Sequence, residues 1–189
     1  GSRITAFQQV AMANDRLQCA VALRGDRQRH VSHDLGRAVL GKQHVQLLPN
    51  PVPVAALQLG DAVVAFSRRD VLMLRDQIAA AGHPVSVIYG ALPPEVRRRE
   101  AERFAEGASH ILVATDAIGM GLNLPIRRVL FSTMTKFDGV NDRPLGESEV
   151  HQIAGRAGRF GIHEEGFVGV RTEAAAGAAR LLTELLPKV

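Results

Sequence analysis

Cysteine is nearly absent: Cys19 stands alone in 189 residues, which excludes an internal disulfide, argues against a cysteine-built zinc site and fits a reducing compartment. Tryptophan is missing and tyrosine occurs once beside seven phenylalanines. Few rings are on hand to stack on bases, so any contact with nucleic acid should follow the phosphate backbone. No apolar run approaches the roughly 20 residues of a membrane span and no signal-peptide pattern opens the chain, so no membrane partner is expected. Acidic residues are outnumbered, 19 against 23 basic ones, for a formal net charge of +4 and a pI of about 10.0. Arginine carries most of that excess, which favours a polyanionic partner. With 46% hydrophobic and 22% charged residues, the composition is that of a globular protein long enough for a real core. Gly1-Ser2 reads as a cloning remnant, so the chain is expected to be a piece of a longer protein.

Along the chain, regular patterning starts late. Residues 6–23 are weakly helical, 24–33 are polar and basic, and Leu48-Pro49-Asn50-Pro51-Val52-Pro53 reads as stiff punctuation between units. Residues 1–57 are therefore expected to be an extension or the tail of a preceding domain, with the domain proper at 58–189. Within that extension, Gly36 to Lys42 fits G-x-x-x-x-G-K, the string of a phosphate-binding loop. Its context is wrong: Gln43 replaces the Ser or Thr that would hold Mg²⁺, and no apolar strand precedes it. The match is read as chance, in a short helix.

From residue 60 onward, apolar runs alternate with amphipathic segments. Strands are expected at 61–66, 85–88, 110–115, 128–131 and 166–170, and helices at 67–81, from Pro93-Pro94 to 106, around Gln152, and at 174–186. Gly82 and Gly107 are placed to stop the first two helices. This alternation predicts an α/β fold, a parallel sheet with helices on both faces and right-handed crossovers. Ligands gather at the carboxyl ends of strands in such sheets. The loops to read are therefore Phe66 to Arg69, Tyr89 to Leu92 and Thr115 to Asn123, where Ser67 and Thr115 offer hydroxyls; each alone is also an ordinary cap or turn.

The most specific stretch is Glu149-Val150-His151-Gln152-Ile153-Ala154-Gly155-Arg156-Ala157-Gly158-Arg159-Phe160. Read as one helix at about 100° per residue, it puts Gln152, Arg156 and Arg159 in a fan of roughly 60°, with Val150, Ile153, Ala154 and Ala157 opposite. Two guanidinium forks beside an amide suit an anion whose charge is spread over several oxygens. Each glycine costs a helix interior about 1 kcal/mol relative to alanine. Something should therefore require close approach of the backbone there, and a phosphate chain would do.

The string Q-x-x-G-R-x-G-R at 152–159 resembles motif VI of the superfamily 2 helicases. Ala62 to Arg69 is similar to motif IV, Tyr89-Gly90 and Pro93 to Gly107 to the motif IVa region, and Ile111 to Asn123 to motif V. Over roughly residues 57–189 the chain resembles the second RecA-like domain of DExH-box RNA helicases, its wording nearest the mitochondrial degradosome helicases and their bacterial relatives.

That resemblance implies a RecA-like sheet and hydrolysis of ATP, with Mg²⁺, in a cleft shared with an N-terminal RecA-like domain of the same protein. It places Gln152, Arg156 and Arg159 at the ATP phosphates with Arg159 as the arginine finger. Asp116 and Gly119 would lie near the nucleotide, Asp116 alternatively linking to motif VI. Ser67, Arg68, Gly90 and Thr115 would line the RNA path. It further implies RNA degradation, an exoribonuclease partner, and a cytoplasmic location in a bacterium or the mitochondrial matrix in a eukaryote. Neither a working Walker A nor a D-E-x-H strand occurs in the sequence, so this chain alone is not expected to hydrolyse ATP. Two other readings stay open: a non-enzymatic nucleic-acid-binding or docking module of the same fold, and a DNA translocase of the superfamily. The segment 133–145 is either a solvated loop or a strand-separating hairpin.

Overall fold

The computed structural model describes residues 37–40, 43–119, 122–158, 165–172, 174 and 178–186. Readings that fall elsewhere, among them the weak helix at 6–23, Cys19 and Arg159, lie outside the described residues.

The centre of the sheet is built from the runs that were most uniformly apolar. Strands β3 (Asp61–Val64), β5 (Ile111–Ala114) and β6 (Arg128–Phe131) are buried at every position, as strands covered on both faces must be. With β4 (Val85–Ile88), β9 (Gly166–Val170), β2 (Gln43–Leu47) and β1 (Arg37–Leu40) they form one seven-stranded sheet in the order β1-β2-β9-β6-β3-β5-β4. All neighbours pair in parallel except β1 with β2. The expected parallel α/β sheet is thus present. Alternate residues serve opposite faces: Val63, Ala65, Ile111 and Val113 meet Val71, Leu74 and Ile78, whereas Ala62, Val64, Leu112 and Ala114 join the larger core with Phe104, Val150 and Leu182.

Helix α1 (Arg68–Ala80) supplies the first of those faces; Ser67 caps it by accepting from the Asp70 N–H at 3.0 Å, and Gly82 follows at φ +92°. Helix α2 (Pro94–Ala105) starts with proline in its first turn and buries Ala101 and Phe104. Helices α3 (Glu147–Ala154) and α4 (Ala178–Leu185) cover the other face.

Two expectations for the amino-terminal part need correction. Residues 37–40 and 43–47 belong to the sheet: β2 pairs with β9, and Val45 is fully buried in the larger core. The proline-rich stretch continues along the same edge, with the Leu48 N–H donating to Val168 O at 2.8 Å and the Val52 N–H to Val170 O at 2.9 Å. Prolines at 49, 51 and 53 leave those even positions to make the ladder bonds, so punctuation in the sequence is an edge segment in space. The buried Arg171 guanidinium donates to Val52 O at 2.8 Å and ties the segment down. The match at 36–42 is no short helix either, because residues 37–40 form β1. The segment 133–145 contains a hairpin, β7 (Thr135–Phe137) paired antiparallel with β8 (Asp142–Pro144).

Candidate functional site

The carboxyl ends of β3, β5 and β4, neighbours in the sheet, deliver Ser67, Thr115 and Gly90 to one edge. The Ser67 hydroxyl accepts from the Asp70 N–H and the Thr115 hydroxyl from the Ala117 N–H at 3.3 Å, so each keeps its own O–H to donate. Gly90 is exposed, its carbonyl accepting from the Arg97 guanidinium at 2.8 Å, and a Cβ there would meet nothing within 4 Å. A ligand backbone can therefore approach that peptide closely. Arg68 sits 5.6 Å from the centroid of the Tyr89 ring, which braces an exposed guanidinium beside Gly90.

Asp116 and Gly119 bound the short 3₁₀ turn that follows Thr115, and α3 packs against this turn. Gln152 is exposed on α3, whose buried face is Val150, Ile153 and Ala154, as its periodicity predicts. The helix does not run on to 160. It ends at Ala154 with Gly155 as its C-cap, and the chain turns through Gly158 at φ +68°. Arg156 lies in that turn, half-buried, so it does not share a helical face with Gln152; Arg159 lies outside the described residues.

The close approach that the glycines announced is made by the protein itself. A Cβ on Gly158 would come within 2.6 Å of the Gly166 Cα at the start of β9, and the Gly158 N–H donates to Ile126 O at 2.8 Å. Backbone against backbone, not a phosphate chain, explains Gly158 in this structure.

Next to this edge stands a network of charges that the sequence did not announce. Lys136 on β7 and Arg143 on β8 lie directly opposite in the hairpin register, an unfavourable placement for like charges. Glu149, in the first turn of α3, resolves it. Its carboxylate takes two hydrogen bonds from Arg143 at 2.8 and 2.9 Å, one from the Gly146 N–H at 2.9 Å, and lies 3.5 Å from the Lys136 ammonium. Lys136 also donates to Asp116 at 2.9 Å. The Arg143 guanidinium, then the Gly146 N–H, hold the Glu149 carboxyl down at about 2, and the hydrogen bond to Asp116 pushes the Lys136 ammonium above its usual range.

Comparison with known proteins now bears on this arrangement. The profile of the helicase conserved C-terminal domain family matches residues 46–161, more than half of the chain. The chain belongs to this family. Its helicase C-terminal domain is 54% identical over 108 residues to the mitochondrial ATP-dependent RNA helicase SUV3 of Oryza sativa, covering 56% of this chain and 19% of the rice protein. Against the protein of the same name in Saccharomyces cerevisiae it is 47% identical over 122 residues, covering 64% of this chain and 17% of that one. The chain thus spans about a fifth or less of the relatives it matches.

Among solved structures, the C-terminal domain of the DEAD-box protein Dbp5 superposes with a TM-score of 0.51 at 20% identity, covering 68% of each chain. Dbp5 of S. cerevisiae bound to RNA and ADP BeF3 gives 0.53 at 19% identity, over 70% of this chain and 32% of that one. The fold is RecA-like.

In this helicase C-terminal domain, the residues that sequence reasoning missed are Lys136, Arg143 and Glu149. An acidic residue in the first turn of a helix is a signal available in the sequence, but its partners 6 and 13 positions upstream meet it only through the hairpin. Among the described residues, no group of three or more His, Cys, Asp or Glu side chains could hold a metal ion, and no helix is long and apolar enough to cross a membrane.

Proposed function

We propose that this chain is the C-terminal motor domain of an ATP-dependent RNA helicase, supplying arginines and part of the RNA path to an ATPase completed by an N-terminal RecA-like domain. The observation that carries the proposal is the convergence of Ser67, Gly90 and Thr115 on one sheet edge, with the Asp116 turn packed against the Gln152 helix next to it. The turn follows Thr115, whose hydroxyl shares a sheet edge with that of Ser67 and suits a phosphodiester backbone, and it packs against the helix of Gln152, which with Arg156 suits a polyphosphate.

Closure of the two domains brings Gln152, Arg156 and Arg159 to the phosphates, where fixed guanidinium donors neutralise the charge that develops as phosphate passes to water. Asp116 and Gly119 flank the nucleotide, and Ser67, Arg68, Gly90 and Thr115 hold the RNA strand. Mg²⁺ accompanies ATP and is held by the partner domain. RNA is favoured over DNA because the relatives named above are RNA helicases. Turnover of RNA in company with an exoribonuclease, and a mitochondrial matrix or bacterial cytoplasmic setting, are the matching cellular reading; those relatives are mitochondrial.

The test is ATP hydrolysis with and without single-stranded RNA, for this chain alone and joined to its N-terminal domain. Hydrolysis only by the joined protein, stimulated by RNA more than by DNA, is the expected result. A joined protein that binds RNA yet never hydrolyses ATP would make the chain a binding module.

A further inference from the structure

Three elements that are remote in sequence meet at one ammonium group. Lys136 Nζ lies 2.9 Å from a carboxylate oxygen of Asp116, on the turn that directly follows Thr115, and 3.5 Å from a carboxylate oxygen of Glu149, in the first turn of the helix that carries Gln152. Its side chain is 27% exposed, so the contact is partly withdrawn from solvent. The hairpin holding it is fixed at its base: the Leu145 N–H donates to Met134 O at 2.8 Å, and both side chains are buried. Arg143, opposite Lys136, grips the same Glu149 with two hydrogen bonds. Glu149 in turn accepts from the Gly146 N–H ahead of the helix, half of a capping box. The hairpin is thus a bracket with one fixed arm, Arg143 to Glu149, and one bridging arm, Lys136 to both carboxylates.

We infer that Lys136 is a positioning residue that holds the Asp116 turn against the Gln152 helix and so couples RNA occupancy at Thr115 to nucleotide occupancy at Gln152 and Arg156. The inference rests on the motor reading above. Without the ammonium, Asp116 loses the ion pair that links it through Lys136 to Glu149, while Glu149 keeps its pair with Arg143. The turn is then free to settle away from α3, and binding on one side no longer sets the geometry of the other. Coupling between two ligands requires an element whose position both of them bias. Here that element is the turn 116–119, and Lys136 is its tether to α3. The ion pairs of Lys136 among the described residues are with Asp116 and Glu149, so its loss removes no hydrogen bond made by Ser67 or Thr115 and acts on the nucleotide side only through the Asp116 turn.

The experiment uses the protein carrying both RecA-like domains. The affinity for a non-hydrolysable ATP analogue is measured without RNA and with saturating single-stranded RNA, and the RNA affinity with and without the analogue. The ratio is the coupling factor and must be the same from either side. Lys136→Met is expected to lower that factor by about tenfold, within the 5–150-fold span typical of coupled sites, with each ligand's affinity alone changed by no more than a few-fold. Lys136→Arg, which keeps a cation within reach of both carboxylates, is expected to retain most of it. Melting temperatures close to the parent's for both variants separate coupling from folding. If Lys136→Met leaves the factor intact, or Lys136→Arg loses as much as Met, the tether is overturned. A parent protein in which RNA and nucleotide bind without influencing each other sinks the motor reading, and the tether with it.

Discussion

The two ends of the same strands carry ion pairs of the same chemistry built to opposite specifications. At the amino ends, Arg128 at the start of β6 donates to both oxygens of Asp61 at the start of β3, at 2.5 and 2.6 Å, with the Gln58 N–H on the same carboxylate and Ala56 O taking another guanidinium N–H. Asp61 is fully buried and Arg128 nearly so. Both carboxylate oxygens and two of the three guanidinium nitrogens have protein partners. At the carboxyl ends, Asp116, Lys136, Arg143 and Glu149 share their charges in an open network, the Asp116 side chain 52% exposed. A dry pair with one geometry holds the sheet; a wet network with adjustable partners suits elements that must respond to what binds beside them. The two ends teach that in this fold the sign of a charge says little about its role, and the surrounding water says much.

The largest expected effect is at Arg159, which the proposed mechanism puts at the ATP phosphates. In a protein with both domains, Arg159→Ala should leave the fold intact and reduce RNA-stimulated turnover by about 10³–10⁵, on the order of 4–7 kcal/mol, with little change in nucleotide affinity, because a finger acts mainly in the transition state. Arg159→Lys should restore little, since an ammonium is not a fork. Arg98→Ala, in the Arg97-Arg98-Arg99 run of α2, should leave turnover at saturating RNA nearly unchanged. Turnover within a few-fold of the parent in Arg159→Ala would reduce this arginine to a structural residue.

At the amino ends the expected loss is of stability alone. Arg128→Met strands a fully buried carboxylate and should lower the unfolding free energy by about 3–5 kcal/mol, read from denaturant midpoints. Replacing both partners, Asp61→Leu with Arg128→Met, should recover much of that, since the penalty belongs to the orphaned charge. A double replacement as damaging as the single one would mean that the pair is needed for more than its own neutralisation.

Gly158 also stands at the amino ends, against the start of β9, where a side chain meets both a positive φ and the backbone of Gly166. Left-handed backbone costs a residue with a Cβ roughly 1–2 kcal/mol, and overpacking against backbone adds about as much again. Gly158→Ala should therefore destabilise by about 2–4 kcal/mol in the same titration. If it proves neutral, the crossing of this turn over β9 is looser than the geometry says.

How far these differences could be read from sequence depends on whether the cause is local. Val63-Val64 and Ile111-Leu112-Val113 declare buried strands because a strand covered on both faces needs apolar residues at every step. Ser67 and Gly82 declare the ends of α1 because caps act within a few residues of themselves. The segment 43–53 escapes a sequence reading for the same reason in reverse: its partner β9 begins only at Gly166, and its prolines, which look like breaks, stand at the positions where no ladder N–H is required. Gly158 was legible as a point of close approach, but which backbone approaches it is a fact about β9. The gathering of Ser67, Gly90 and Thr115 on one sheet edge is reachable through one rule about strand ends. Lys136 is not, since nothing in Thr135-Lys136-Phe137 says that a hairpin will carry it to a turn 20 residues earlier.

The smallest expected effect is the pH response of the open network, which sharpens the contrast because the dry pair should not share it. Glu149 has its carboxyl depressed from 4.5 to about 2, chiefly by Arg143. A carboxyl lowered on folding contributes stability that is fully present above its unfolded value and lost as pH falls through the folded one. The loss attributable to Glu149 should therefore develop between about pH 4.5 and 2, and nothing should change at neutral pH. Lys136 has the opposite sign: its raised ammonium keeps its contribution below the unfolded value of 10.5 and gives it up only at higher pH. Because Glu149 is partly exposed, its worth is that of a surface pair, about 0.2–1 kcal/mol, and salt should diminish it. Glu149→Gln, compared with the parent in denaturant titrations from pH 6 down to 3, should show a constant small deficit that narrows only below about pH 4.5. A deficit that stays the same down to pH 3 would mean that Glu149 holds α3 through its hydrogen-bond geometry rather than its charge, and the open network would then resemble the dry pair more than its exposure suggests.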